Sequence, residues 1–217
     1  MRYKAVIFDL DGTLLDTIED IKETMNRALR KYGYKEYSLE EYKYFVGKGV
    51  DHLIRRTMEE GNIPDEKFLD IKNAYFEIYK DQSKVNTGVY EGINDLLKEL
   101  KKTGVKLAVL SNKPHVQTID VINYYFDDCV FNYVYGKKDN FLPKPDPNSA
   151  LDLIGNLGVK QEEVLYVGDT ETDILTSKNA KFCSVGVLWG FRKKDELVNA
   201  GADFIVEKPL EILDLID

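Results

Sequence analysis

The sequence predicts an open, doubly wound α/β fold: a parallel sheet covered by helices on both faces, with a small all-helical cap inserted after the first strand. Three observations carry this. "KAVIF" (4–8) is a continuous apolar run rather than an alternating one, as expected of a strand buried on both faces. Similar runs recur at 105–110, 163–167 and 182–187, and helical patterns fall between them. From about residue 16 to 85 that alternation stops and only helical periodicity remains.

The elements follow in order. "KAVIF" gives the first strand. Ile21, Met25, Ala28, Leu29 and Tyr32 mark one amphipathic helix, and Phe68, Ile71, Tyr75 and Ile78 mark another. Shorter helices are expected in "SLEEYKYF" and "GVDHLIRRTMEE", with "GNIPD" (61–65) as a turn. The chain returns to the sheet near "NTGVYEG" (86–92), so the predicted core is 1–15 with 86–217 and the predicted cap is 16–85. Ile93, Leu96, Leu97 and Leu100 form a helix ended by Gly104. "VKLAVL" is the second core strand. Ala150, Leu151, Ile154 and Leu157 form the next helix, with Asp146 as N-cap, Pro147 at the first position and Gly158 beyond the end. "EVLYV" and "FCSVGV" are strands three and four, and "ADFIV" (202–206) is a candidate fifth.

Bulk properties narrow the function. With 30 basic and 38 acidic residues the net charge is −8, a poor basis for nucleic-acid binding. Cys129 and Cys183 are far apart and read as free thiols of a reducing cytoplasm. No apolar run reaches the length of a membrane span, and the expected location is cytoplasmic. A monomer and a homodimer are both compatible with the sequence.

Ligands of open α/β sheets bind where loops leave the carboxyl ends of strands. Asp9-Leu10-Asp11-Gly12-Thr13 follows the first strand, Ser111-Asn112-Lys113 the second, and Gly168-Asp169 the third, with Asp173 four residues on. "LPKPDP" contributes Lys144 between the second and third. Several carboxylates cannot stay ionised together without a cation, and Mg²⁺, a hard ion served by oxygen ligands, is the natural partner. Residues i and i+2 of a strand point the same way, so Asp9 and Asp11 can serve one site. One can then act as nucleophile while the other carries a proton. Gly12 allows close backbone approach, and Thr13 adds a hydroxyl donor. "FVGKGVDH" (45–52) in the insertion can offer backbone amides and an ammonium to an anion, making Gly47, Lys48 and Gly49 candidate substrate contacts. His52 and His115 read as structural or surface residues. The tyrosine-rich insertion, Trp189 and Phe191 read as packing. An EF-hand does not fit, because Gly12 stands fourth where that loop has its glycine sixth and Asp20 stands in place of the bidentate glutamate, and no Walker A or GxGxxG sequence is present.

"DLDGTLLD", the serine after the second strand, the lysine of "KPDP" and "GDTETD" together resemble the four signature motifs of the haloacid dehalogenase-like (HAD) hydrolases, closest to the phosphoglycolate phosphatase-like branch. The likeness spans the whole chain. It implies a Rossmann-like core and an Mg²⁺-dependent phosphatase that forms an aspartyl phosphate on a small phosphorylated metabolite, with phosphoglycolate as first guess. By that resemblance Asp9 attacks phosphorus, and Asp11 protonates the leaving group and then activates water. Asp9, the backbone carbonyl of Asp11, and Asp169 hold the ion. Asp173 sits just outside the ligands or orients Lys144. Ser111, the amide of Asn112, and Lys144 bind the phosphoryl oxygens, and the cap segment around Lys48 faces the site. An acid at position 11 argues against a dehalogenase or a phosphonate hydrolase. A β-phosphoglucomutase-like phosphotransfer, an inorganic pyrophosphatase and a non-catalytic phosphate-binding protein remain as alternatives.

Overall fold

The computed structural model describes residues 2–127 and 130–216, so Cys129 lies outside the described residues. Strand β1 (Ala5–Phe8) is at the centre. It is followed by the short β2 (Leu15–Asp16) and four helices: α1 (Ile18–Lys31), α2 (Leu39–Phe45), α3 (Val50–Glu60) and α4 (Phe68–Gln82). After β3 (Gly88–Val89) come α5 (Ile93–Thr103), β4 (Lys106–Pro114), α6 (His115–Tyr125), β5 (Tyr133–Lys137) and α7 (Asn148–Leu157). The chain ends with β6 (Val164–Gly168), α8 (Glu171–Ala180), β7 (Cys183–Val187), α9 (Lys194–Ala200) and β8 (Phe204–Val206). Six strands form one parallel sheet in the order β5-β4-β1-β6-β7-β8, while β2 and β3 pair antiparallel on their own.

The unbroken apolar runs have the expected cause. Val6 and Phe8 face one layer, with Leu97 and Leu100 of α5 and Val121 of α6, whereas Ala5 and Ile7 face the other, with Leu153 and Leu157 of α7. Both layers are buried, so both phases of each central strand are apolar. Helices α1 to α4 bury a separate cluster of their own, including Met25, Tyr42, Ile54 and Ile71. Tyr37, Tyr42 and Phe45 meet edge to face there, with centroids 5.4 to 6.4 Å apart, so these tyrosines pack, as expected.

Several details differ from expectation. Strand β5 was not foreseen. It is a half-buried edge strand whose sequence, YVYGK, lacks an apolar run. Strand β4 continues through Ser111–Pro114, beyond the apolar stretch. Helix α7 begins one residue later than expected: Pro147 holds the N-cap position, and Asp146 Oδ1 accepts from the Asn148 N–H at 3.0 Å. Gly104 and Gly158 do end α5 and α7 in left-handed conformation. No helix among the described residues is long and apolar enough to cross a membrane.

Where the helical insertion leaves and rejoins the sheet, one carboxylate gathers both crossings. Asp20, near the start of α1 and 1 % exposed, accepts from the N–H groups of Val85, Asn86 and Thr87, the Thr87 hydroxyl, and the side-chain amides of Gln82 and Asn86. Burial alone would raise the Asp20 carboxyl, but the hydrogen bonds from Thr87 and Asn86 outweigh it and hold it below its ordinary 3.8. A depressed folded-state value adds stability above the unfolded pKa that is lost as pH falls through the folded one. Replacing Asp20 with Asn turns an amide donor toward other donors, and a loss of about 3 kcal/mol is expected at neutral pH. Denaturant unfolding of wild type and D20N should show this gap at pH 7 and its narrowing below about pH 4. A gap independent of pH would show that the ionised carboxylate is not the source.

Candidate active site

The site lies at the carboxyl end of β1, flanked by β4 and β6, where the strand order reverses direction. Asp9 continues the ladder of β1, its N–H donating to Val167 O at 2.9 Å. Lys144, 3 % exposed, is inserted beneath it. Its Nζ lies 2.8 Å from Asp9 Oδ1 and 2.7 Å from Asp173 Oδ1, and it also donates to Leu110 O at 3.1 Å and the Tyr166 hydroxyl at 3.2 Å. One ammonium thus joins the loop after β5 to β1, β4, β6 and α8. The peptide bond from Lys144 to Pro145 is cis.

Asp169 completes the cluster. Ligand atoms of Asp9, Asp169 and Asp173 lie within 4.8 Å of one another, and all three residues are buried. The Asp169 carboxylate is aimed by the Thr13 hydroxyl (3.1 Å to Oδ1) and the Phe191 N–H (2.8 Å to Oδ2). Asp173 Oδ2 accepts from the Thr170 N–H and hydroxyl, capping α8, while its Oδ1 holds Lys144. Asp173 therefore both caps α8 and holds the Lys144 ammonium.

Burial, then the charge of Asp173, push Asp9 up to about 7 against the pull of Lys144. Burial, then Asp173 and Asp9, raise Asp169 well above the carboxylate range. Burial would weaken the ammonium of Lys144, but Asp173 and Asp9 reverse this and hold its pKa well above the ordinary value. Three buried acids against one buried ammonium leave an excess of negative charge, which a divalent cation would relieve. The donor set is all oxygen and suits a hard ion. Asp9 and Asp169 could hold it, while Asp173 is committed to the Lys144 ammonium through Oδ1 and to the cap of α8 through Oδ2.

Glycines make room for this crowding. A Cβ on Gly12, whose φ is +91°, would stand 2.3 Å from Asp169 Oδ2. A Cβ on Gly168 would stand 2.3 Å from the Asp173 Cβ. On Gly190 it would stand 2.3 Å from the Asp169 Cβ and 2.4 Å from Gly12 O. Gly190 was not foreseen, because it follows β7, outside the strand ends that carry acids.

Above this floor is a cavity of about 60 Å³, bounded by Asp9, Asp11, Ser111 and Asn112 from the sheet and by Val46, Gly47, Gly49, Leu53, Tyr75 and Tyr79 from the helical insertion. Asp11 does not join the acid cluster. Both of its carboxylate oxygens accept from Lys113 Nζ, at 2.7 and 2.9 Å. Lys113 was passed over in the sequence, where it reads as one more lysine in a strand-end loop. Ser111 Oγ accepts from the Lys113 N–H at 3.2 Å. The Asn112 side chain is fully used: its Oδ1 accepts from the Lys144 N–H, and its Nδ2 donates to the carbonyls of Lys144 and Gly47.

Two expected substrate contacts are placed otherwise. The Thr13 hydroxyl is committed to Asp169, so Thr13 aims a carboxylate. Lys48 is exposed and lines a neighbouring cleft with His52, Glu171 and Arg192, because the loop points its backbone, not this side chain, into the cavity. His115 is structural, its Nδ1 accepting from the Gly136 N–H at 3.2 Å. Trp189 braces the β1 loop through Nε1 to Thr13 O at 2.9 Å, and Phe191 packs into the helical cluster.

Comparison with known proteins agrees with this geometry. Residues 6–187 match the family model of the haloacid dehalogenase-like hydrolases. The phosphoglycolate phosphatase of Aquifex aeolicus is 31% identical over 223 residues, covering 99% of this chain and 97% of its own. That of Vibrio cholerae serotype O1 is 29% identical, covering 98% and 96%. A solved structure of a candidate phosphoglycolate phosphatase from Lactobacillus delbrueckii subsp. bulgaricus superposes with a TM-score of 0.95 at 31% identity, over 100% of this chain and 99% of that one. Motifs, sheet order and relatives agree, and the chain belongs to the haloacid dehalogenase-like hydrolases, in their phosphoglycolate phosphatase-like branch.

Proposed function

We propose that this protein is an Mg²⁺-dependent phosphomonoester hydrolase that works through a phosphorylated Asp9. The observation that carries this reading is the convergence of Asp9, Asp169 and Lys144 at one strand tip, where Asp9 lines the cavity. An Asp9 oxygen attacks phosphorus and the ester P–O bond breaks. Asp11 gives a proton to the departing alkoxide. Asp11 then takes a proton from a water, whose oxygen attacks the acyl phosphate, releasing inorganic phosphate and restoring the Asp9 carboxylate. Lys144 fixes Asp9 and offers positive charge to the phosphoryl oxygens, together with the Ser111 hydroxyl and the backbone N–H of Asn112. Asp9, Asp169 and the backbone carbonyl of Asp11 are the proposed holders of Mg²⁺, which when bound supplies charge stabilisation to the transferring phosphoryl group.

The cap, residues 16–85 in this reading, closes the cavity with Gly47, Gly49, Tyr75 and Tyr79 and excludes water during transfer. Phosphoglycolate, the substrate in the names of the Aquifex and Vibrio relatives, is the first ester to test.

Hydrolysis of phosphoglycolate and p-nitrophenyl phosphate should stop on chelation with EDTA and return on adding Mg²⁺. Asp9→Asn should reduce kcat at least about 10⁴-fold with an unchanged circular dichroism spectrum; near-normal turnover in that variant would remove Asp9 as nucleophile. For Gly190→Ala the added methyl must displace Asp169 or the Gly12 backbone. A loss of about 10²-fold in kcat with weakened Mg²⁺ activation is expected, and wild-type Mg²⁺ dependence would show that Asp169 need not stay where it is.

A further inference from the structure

Lys113 is buried, 8 % exposed, in the wall of the cavity. Once a phosphoryl group is placed against Asp9, Ser111 and Asn112, the rest of the ester must lie among Val46, Val50, Leu53, Tyr75 and Tyr79. Lys113 is the only cationic side chain among the described residues that line this space. Its Nζ stands between the two halves of the protein: both Asp11 oxygens accept from it on the sheet side, and the Tyr79 ring of α4 is 5.3 Å away on the other.

Resting on the proposed phosphatase function, we infer that Lys113 is the specificity-determining residue. Its ammonium leaves Asp11 to pair with a carboxylate carried by the leaving alcohol, and Asp11, in its protonated form, is then free to give its proton to the leaving oxygen. The physical argument is one of counter-charges. A carboxylate entering an apolar cavity needs a partner, and no other cation lines the cavity among the described residues. An ammonium has three donors, two of which Asp11 holds. An ester without an acidic group leaves the Lys113–Asp11 pair intact, so the group that must serve the leaving oxygen stays occupied. Because Tyr79 belongs to the helical insertion and Asp11 to the sheet, the exchange takes place with the insertion in the position seen here.

The test compares phosphoglycolate with ethyl phosphate, which replaces the carboxylate by a methyl group. Wild type should prefer phosphoglycolate in kcat/KM, and Lys113→Met should reduce that preference by roughly thirtyfold. A Lys113 that merely supports the fold or the chemistry would lower both esters together and leave the ratio unchanged, overturning the inference. Should Lys113→Met fail to fold, wild type still decides. Glycolate should inhibit ethyl phosphate hydrolysis competitively and ethylene glycol should not; equal inhibition, or none by either, overturns the inference. A wild type that hydrolyses both esters equally overturns this specificity role and leaves the phosphatase reading standing. A wild type with no Mg²⁺-dependent hydrolysis of any phosphomonoester overturns both.

Discussion

The structure depends on one electrostatic constraint: Asp9, Asp169 and Asp173 are buried together around the single ammonium of Lys144. Such a cluster is unfavourable by itself, since burial and like charge both oppose ionisation. It persists because the surrounding fold fixes each carboxylate separately. Asp9 is held by the β1–β6 ladder, Asp169 by Thr13 and the Phe191 amide, and Asp173 by its own helix cap. None of these supports is a surface contact that water could replace. What the protein gains is a preformed set of oxygen donors whose full ionisation a bound cation would favour.

The sheet makes this convergence possible. Central strand β1 is flanked by β4 on one side and β6 on the other, so groups far apart in the chain meet at one tip. Two buried layers keep that tip in place. The glycines at 12, 168 and 190 keep it narrow, because any side chain there would occupy the volume of an aspartate.

Much of this was legible in the sequence, and the limits have physical causes. Asp9, Asp11 and Asp169 follow apolar runs, where the strand period and the rule of carboxyl-end sites point to them, while Lys144 stands out in the loop sequence LPKPDP. Of the four helices between β2 and β3, the first and last are legible because their apolar residues recur at helical spacing, and the two shorter ones fill the segments left between them. Strand β5 was missed because an edge strand needs only partial burial and leaves no apolar run. Lys113 escapes a sequence reading because its partner Asp11 is 102 residues away, and Gly190 because it follows a strand whose end carries no acid. Lys48 was over-read: a lysine between glycines looks aimed, but the glycines bring the backbone to the cavity and leave the lysine in solvent.

The helical insertion meets the sheet side at its 46–49 loop through two polar contacts: Asn112 Nδ2 to Gly47 O and Arg192 Nη2 to Val46 O, at 3.1 and 3.0 Å. In both, a backbone carbonyl on the insertion accepts from a side chain on the sheet domain. Solvent can substitute for either donor, so each bond adds only about 1 kcal/mol net. In the proposed cycle, admission of substrate and release of product rehydrate these two peptide oxygens and also part Tyr79 from Lys113, Lys84 from Asp120 and Phe191 from the helical cluster. Because the Phe191 N–H also holds Asp169, opening of the insertion is felt at the acid cluster below.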